Sequence, residues 1–436
     1  MSKSQRLYYR AKMLIPGGTQ LLSKRPELFS LGVWPAYYKQ AQGVYIWDLD
    51  GKKYIDMSIG GIGANVLGYA DKDVNAAVKK AVENGSSSSL NCYEEVELAK
   101  KLCQLHPWAK KARFARSGGE SMAIAVRIAR AFTGKDKVAI CGYHGWHDWY
   151  LAANLGTENA LGEHLLPGLS PIGVPKALRG TTLPFRYNHL EELEKIVIEH
   201  KESLAAIVIE PIRNVYPEKG FLEGVKALAK KANAILIFDE ISSGFRMNTG
   251  GAHLLFGVHP DIAVFSKALG NGYPIAAIIG CADVMEAAQV SFISSTMWTE
   301  RIGPTAALAT IKKFQEKKVA EHLMDIGKRV QEGWVRAAEK AGLKIKVSGI
   351  YPLSHFVFDE PEHSHMKAYF IQEMLKKGFL VSNLFYSMHA HTSQHVEQYL
   401  KAVTEVFIKM SVLQAKKKLS AALKGEPASS GFKRLT

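Results

Sequence analysis

Long apolar runs are missing from this 436-residue chain. The strongest, Ala205–Ile209 and Ile275–Gly280, are strand-sized. A helix crossing a bilayer needs roughly 18 apolar residues, so no membrane partner is expected. The first residues, MSKSQRLYYRAKMLIPGG, are basic and hold no continuous apolar segment, so they do not read as a secretory leader. Cysteine is scarce: Cys92, Cys103, Cys141 and Cys281 are widely spaced, with no CxxC pair. That argues for free thiols in a reducing, cytoplasmic setting and against a disulfide scaffold or zinc cluster. Low-complexity segments and internal repeats are absent too, which excludes a solenoid. With 47% hydrophobic and 22% charged residues, the chain is neither disordered nor fibrous.

Acidic residues are outnumbered. Asp and Glu total 41 against 56 Lys and Arg, a net charge of +15. Such a balance suits nucleic acid, an anionic membrane or small anionic substrates. The lysines fall in dispersed pairs, such as Lys79-Lys80, Lys230-Lys231, Lys312-Lys313 and Lys376-Lys377. That spacing reads as solvated helix faces. No basic stripe is interleaved with aromatics, so nucleic acid is not an expected partner.

Two rhythms organise the chain. Gly43–Ile46 and Lys53–Asp56, joined through Asp48–Gly51, read as a hairpin with an Asp-Gly turn. Helical periodicity covers Asp71–Glu83, Glu94–Leu105 and Ser121–Phe132. The middle alternates short apolar runs (Lys137–Cys141, Ala205–Glu210, Ala234–Asp239, Ile262–Phe265) with helical patterns (Leu190–His200, Leu222–Lys231). Strands apolar on both faces, alternating with helices, indicate a parallel sheet wrapped by helices. Beyond about residue 313 the pattern changes to the helix Glu321–Ala341, strands Lys344–Val347 and Leu353–Phe358, and helices Met366–Lys377 and Thr392–Ala415. The expected domains are 61–315, a large α/β unit, and a small α+β unit built from 1–60 and 316–436. The tail Lys416–Thr436 is expected to be mobile unless a partner subunit orders it.

Ligands of open α/β sheets sit beyond the C-terminal strand ends, and Glu210, Asp239 and Lys267 all fall there. Asp239 closes the run AILIFD; alone it could be a helix cap, an ion-pair partner or a ligand. Lys267 sits among apolar neighbours before Gly270 and Gly272. A partly desolvated amine has a lowered pKa and attacks carbonyls. Ser117, Gly118 and Gly119 precede a helix and could free backbone N–H groups for an anion, or form an ordinary cap. Tyr143, in YHGWHD, could stack on a flat ring. In the alternative, Tyr143 and Trp146 are interface residues and His144 and His147 surface groups. The pair HxxH lacks the further ligands a metal site needs. A carbonyl for Lys267, a phosphate for Ser117–Gly119, a ring for Tyr143 and a ring nitrogen for Asp239 together describe pyridoxal 5'-phosphate (PLP).

On the segments GVYIWDLDGKKYIDM, SGGES, YHGWHD, IVIEP, LIFDEISSGFR and SKALGNGYP, the chain resembles the class III aminotransferases. Within them it is most similar to glutamate-1-semialdehyde aminomutase and its relatives. The resemblance implies the fold-type-I PLP-dependent transferase architecture: a large domain with a mostly parallel central sheet, and a small α+β domain from both chain ends. It also implies a homodimer whose active site is completed across subunits. Lys267 would form the Schiff base and move the proton, and Asp239 would pair with the pyridine nitrogen. Gly118 and Gly119 would hold the phosphate, Tyr143 would stack on the ring, and Glu210 would lie near the phenolic oxygen. Thr299, rather than Thr296, would reach the neighbouring subunit's phosphate.

Three departures from the family bear on substrate. Gly119 stands where a threonine is common. IPGGTQLLSKRP lacks the run N-S-P-V-R, leaving Lys24, with Arg25 beside it, in the register of the carboxylate-binding arginine; lysine does not replace a bidentate arginine. Arg213 and Arg301 stand where small residues are usual, which suggests an acceptor with a phosphate or second carboxylate, or else structural ion pairs. The expected function is transfer of an amino group, from L-glutamate, to the carbonyl of a small polar anionic acceptor such as a sugar or polyol phosphate, with pyridoxamine 5'-phosphate as the cofactor's alternate form. The aminomutase, an isomerase, uses the same residues and stays open. A non-catalytic binder of anionic polymers is the remote third reading.

Overall fold

The computed structural model describes residues 1–157, 159–164 and 167–429. The backbone divides into two compact units, Met1–Asp71 with Glu321–Thr436, and Lys72–Ala320.

In the larger unit, seven strands form one sheet in the order Lys111–Ala115, Ala276–Gly280, Ile262–Phe265, Ile235–Asp239, Leu204–Ile209, Lys137–Cys141, Thr182–Pro184. Ala276–Gly280 runs antiparallel to both of its neighbours, and the remaining pairings are parallel. Side chains alternate across a strand, and here both faces are covered. Val208 and Ile237 join one core with Ile124, Ile128 and the helix Ala282–Val290. Ile207, Ile209, Leu236 and Phe238 join the other with Leu193, Val197, Val225 and Leu228. That is why these runs carry no polar alternation. The sequence reading missed Lys111–Ala115 and Thr182–Pro184, which lie at the two sheet edges and carry polar residues. Gly118 and Gly119, expected just before a helix starting at Ser121, are the first turn of the helix Gly118–Thr133.

The smaller unit holds two sheets. One orders Tyr38–Gln42, Tyr45–Asp48, Lys53–Met57 and Phe379–Val381; the other orders Ile345–Ser348, Leu353–Phe358 and Leu384–Tyr386. In the hairpin the Asp48 amide donates to Lys52 O, and Gly51 takes φ +85, a left-handed turn position that favours glycine. Phe356, fully buried, lies at the centre of an aromatic core, with Trp334, Phe358, Phe370 and Phe407 centroids 4.8, 5.2, 5.7 and 5.9 Å away. Phe356→Ala is expected to cost about 3–5 kcal/mol, read as a lowered denaturation midpoint for this unit in urea.

The tail differs from expectation. Up to Ser429 it is docked on its own unit: Leu419 is buried, and the amides of Lys424, Glu426 and Ser429 donate to Gln372 Oε1, Leu31 O and Glu27 O. Residues 430–436 lie outside the described residues. Most of the paired lysines are exposed, Lys313 only partly, and several form ion pairs: Lys312 with Glu316, Lys313 with Asp73, Lys377 with Glu405.

Candidate active site

The strand Ile235–Asp239 is buried throughout and ends in Asp239, whose carboxylate is almost fully buried. Oδ1 accepts the Ile241 amide at 3.0 Å, and Oδ2 lies 2.8 Å from His144 Nδ1. Burial pushes this carboxyl up, the His144 hydrogen bond pulls it down, and Glu210 raises it again. His144 corrects the sequence reading. It is not a surface group: its side chain is fully buried, stacked on Trp149 at 6.3 Å. Its Nε2 finds no partner among the described residues. The loop after Lys137–Cys141 turns inward, and that turn needs glycine. Gly142 has φ +124, and a β carbon there would stand 2.7 Å from Glu210 Oε2.

On the strand beside Ile235–Asp239, the chain leaves Ile262–Phe265 and enters a turn in which Lys267 takes φ +43. A non-glycine residue in that region stores about 1–3 kcal/mol of strain, a common feature of functional sites. Lys267 Nζ donates to Ser242 Oγ at 2.7 Å. Burial lowers the amine to about 8, helped by the guanidinium groups of Arg213 and Arg246 and opposed by Glu210 and Asp239. Ser242 was not anticipated: it lies 25 residues from Lys267 in sequence, and the motif DEISSGFR gave no sign of which serine faces inward.

Glu210, just past Leu204–Ile209, is buried and shared. Its Oε2 accepts the Tyr143 amide at 3.0 Å and Arg213 Nη1 at 3.1 Å. Arg213 in turn lies 5.8 Å from the Tyr143 ring centroid. Tyr143, Glu210 and Arg213 therefore form one cluster, and Arg213 faces Lys267 closely enough to affect its proton.

The helix Gly118–Thr133 starts from Ser117, whose amide donates to Glu120 Oε2 at 3.3 Å. The Gly118 and Gly119 amides belong to the first turn, where no intrahelical acceptor exists, at the positive end of the helix dipole. Gly145 (φ +104) packs against Gly119: a β carbon on Gly145 would stand 2.9 Å from Gly119 Cα. A β carbon on Gly119 would stand 3.1 Å from His147 Nδ1, so a threonine there requires the imidazole to move. That accounts for one departure from the family pattern.

The other candidates fall elsewhere. Thr299 is exposed, its Oγ1 donating to Thr296 O; its segment is tied to Arg116, whose Nη2 donates to Trp298 O and Glu300 O. Arg301 is drawn onto Glu94 at 2.5 Å and donates to Asn84 O. With Tyr93, Lys80 and Lys313 it lines a separate cavity of about 610 Å³. Arg301 thus forms an ion pair that sequence did not reveal, since Glu94 lies 207 residues away. Lys24 and Arg25 belong to the smaller unit. Lys24 is exposed in the turn Leu22–Lys24, and the Arg25 amide donates to Leu22 O.

The family profile described as aminotransferase class-III matches residues 30–401. The chain is a class-III aminotransferase. Its cofactor is PLP, as in the class. The aminotransferase is 31% identical over 418 residues to the 3-aminobutyryl-CoA aminotransferase of Cloacimonas acidaminovorans (strain Evry), covering 93% of this chain and 96% of that one. In fold it is similar to the FumI protein of Sphingopyxis sp. MTA144, solved in its PLP internal aldimine form (TM-score 0.87, 24% identity, 100% of both chains). It is also similar to a glutamate-1-semialdehyde aminomutase of Pseudomonas aeruginosa PAO1 (TM-score 0.79, 20% identity, 93% and 94% covered). The fold class is thereby fold-type-I. The donor set fits the cofactor: a buried carboxylate, a lysine amine of lowered pKa and a helix N-terminus converge at the strand ends. No helix among the described residues is long and apolar enough to cross a membrane.

Proposed function

We propose that this aminotransferase takes its amino group from L-glutamate and delivers it to the carbonyl carbon of a small, anionic acceptor of the sugar- or polyol-phosphate type, as a homodimer. The observation that carries the reading is Arg213, held by Glu210 at 3.1 Å beside Tyr143 and electrostatically coupled to Lys267. An oriented guanidinium there supplies a planar, bidentate site for a carboxylate or phosphate.

Bound PLP supplies an aldehyde carbon and an electron-withdrawing ring that stabilises negative charge at the substrate carbon. Around it, each residue has one task. Lys267 Nζ, part of it neutral near pH 7, would hold the cofactor through its aldehyde carbon and would carry a proton to and from the substrate carbon. Ser242 Oγ accepts from that amine and fixes its direction. Asp239 offers its carboxylate to a cationic ring N–H, with His144 holding it in place. Tyr143 gives a flat apolar wall. The Gly118 and Gly119 amides, with Ser117, bind phosphate oxygens, and the partner subunit's Thr299 completes that cradle. Lys24 and Arg25 are further candidate contacts for the substrate's anionic group.

A second reading, a 3-oxoacyl thioester of coenzyme A as acceptor, is favoured by the likeness to the Cloacimonas enzyme. The deciding experiment is the absorbance of the PLP-loaded protein before and after L-glutamate alone. The visible band is expected to bleach, with release of one equivalent of 2-oxoglutarate per site. An unchanged band rules out the donor, and turnover of glutamate 1-semialdehyde without any donor favours the aminomutase. With the donor established, a panel of sugar phosphates and 3-oxoacyl thioesters separates the two acceptor readings.

A further inference from the structure

A cavity of about 380 Å³ opens outward from Tyr143 and Glu210 to Arg186, His189 and Arg213. It lies over the C-terminal ends of Lys137–Cys141, Thr182–Pro184 and Leu204–Ile209. We infer that this cavity is the distal subsite of the acceptor and takes a phosphate monoester remote from the reacting carbonyl, between Arg186 and Arg213. The inference rests on the direction of transfer proposed above and adds where the acceptor's charge is read.

Three observations carry it. The first is charge. Two arginines line the cavity, and Glu210 is the one carboxylate among its described lining residues, with Glu192 paired to Arg186 at the rim. Glu210 is already shared between Arg213 and the Tyr143 amide. The second is orientation. Outside the lining, Glu192 takes the Nε and Nη2 edge of Arg186 at 2.7 and 2.5 Å and the Arg186 amide at 2.8 Å. This fixes the plane of the guanidinium at the rim. His164 Nδ1 accepts the Gly142 amide at 3.2 Å. The third is rigidity. Tyr187 Oη donates to Pro211 O at 2.6 Å. Asn188, at φ +64, bridges to Tyr216 O at 3.3 Å and accepts the Glu218 amide at 3.0 Å. The segments bearing Arg186 and Arg213 are thus cross-tied, and little ordering remains to oppose binding.

The ligand class follows. Two planar guanidinium groups match the oxygens of a phosphate better than they match one carboxylate. The volume falls in the range of small-molecule sites, ~300–1,000 Å³, and suits a short phosphorylated chain. The cofactor's own phosphate is assigned elsewhere, at Ser117–Gly119, so the two anions do not compete.

The test uses the full-length, PLP-loaded enzyme. Glycerol 3-phosphate carries the phosphate monoester and no carbonyl; calorimetric titration is expected to show binding. Arg186→Gln should weaken it about 10- to 100-fold, the effect of losing a charge-assisted hydrogen bond, and His189→Asn by less. Lys230→Gln, which removes an exposed cation elsewhere on the unit, should change nothing. In turnover, the preference for D-glyceraldehyde 3-phosphate over D-glyceraldehyde, in kcat/KM, should collapse toward one in Arg186→Gln. Absence of binding, equal binding by Arg186→Gln, or equally tight binding of succinate would overturn the inference. Calorimetry needs no turnover, so failure of L-glutamate as donor shows in the absorbance experiment and leaves the binding result standing.

Discussion

Lys267→Ala is expected to give folded protein that turns over at least about 10⁴-fold more slowly than the parent, because nucleophile and proton carrier are lost together. The visible band of the lysine-bound cofactor should vanish with it. Thermal unfolding of the cofactor-free variant should occur no lower than in the parent. The substitution removes a desolvated amine, and alanine keeps only the strained φ of +43. Methylamine should restore part of the rate if the missing group is the amine itself. Retained turnover without added amine would sink the assignment. A pH signature accompanies it. An amine lowered from 10.5 to about 8 is about one-tenth neutral at pH 7, roughly 300-fold more than an ordinary lysine. Labelling of Lys267 in cofactor-free protein by a small aldehyde and cyanoborohydride, followed by peptide mass, should rise about tenfold per unit up to pH 8 and then level. Arg213→Gln should move that plateau to higher pH, since it removes a charge that repels the ammonium.

The positions of Asp239 and Lys267 at strand ends were legible because the strands before them are buried on both faces, which leaves an uninterrupted apolar run with a polar residue at its tip. The edge strands were not, since one-sided or exposed strands admit polar residues such as Lys111 and Arg113 of Lys111–Ala115. Site partners supplied by spatial folding were also hidden. His144 looked like any surface histidine in a glycine-rich loop until the positive φ of Gly142 turned the loop onto Asp239. Ser242 and Ser243 are adjacent and chemically identical. One holds Lys267, while the other donates to Glu240 in a buried network with His253. Arg213 and Arg301 looked equivalent as extra cations. Only the three-dimensional fold gives one to Glu210 beside the site and the other to Glu94 in a different cavity.

Asp239→Asn should separate chemistry from stability. Asparagine keeps the shape and removes the charge; its single oxygen can still accept from the Ile241 amide, while its Nδ2–H would donate to His144 Nδ1. Without a carboxylate opposite it, a bound pyridine nitrogen has no reason to stay protonated, and the ring withdraws electrons less. Losing such a preorganised charge costs about 10²–10³-fold, and kcat is expected to fall by at least that, with cofactor still held by Lys267 and the phosphate cradle. The stability effect runs the other way. In cofactor-free protein, burial raises the Asp239 pKa, so the folded state binds its proton more tightly than the unfolded chain does. Its contribution is therefore favourable at low pH and is lost as pH rises through the folded value. Above its raised folded pKa the ionised, buried carboxylate opposes folding, and the neutral amide does not. Cofactor-free Asp239→Asn should thus melt at or above the parent at alkaline pH, with the difference shrinking as pH falls. A variant that melted far below the parent would make Asp239 a structural residue of the His144 pair, whose loss of activity would then report unfolding instead of chemistry.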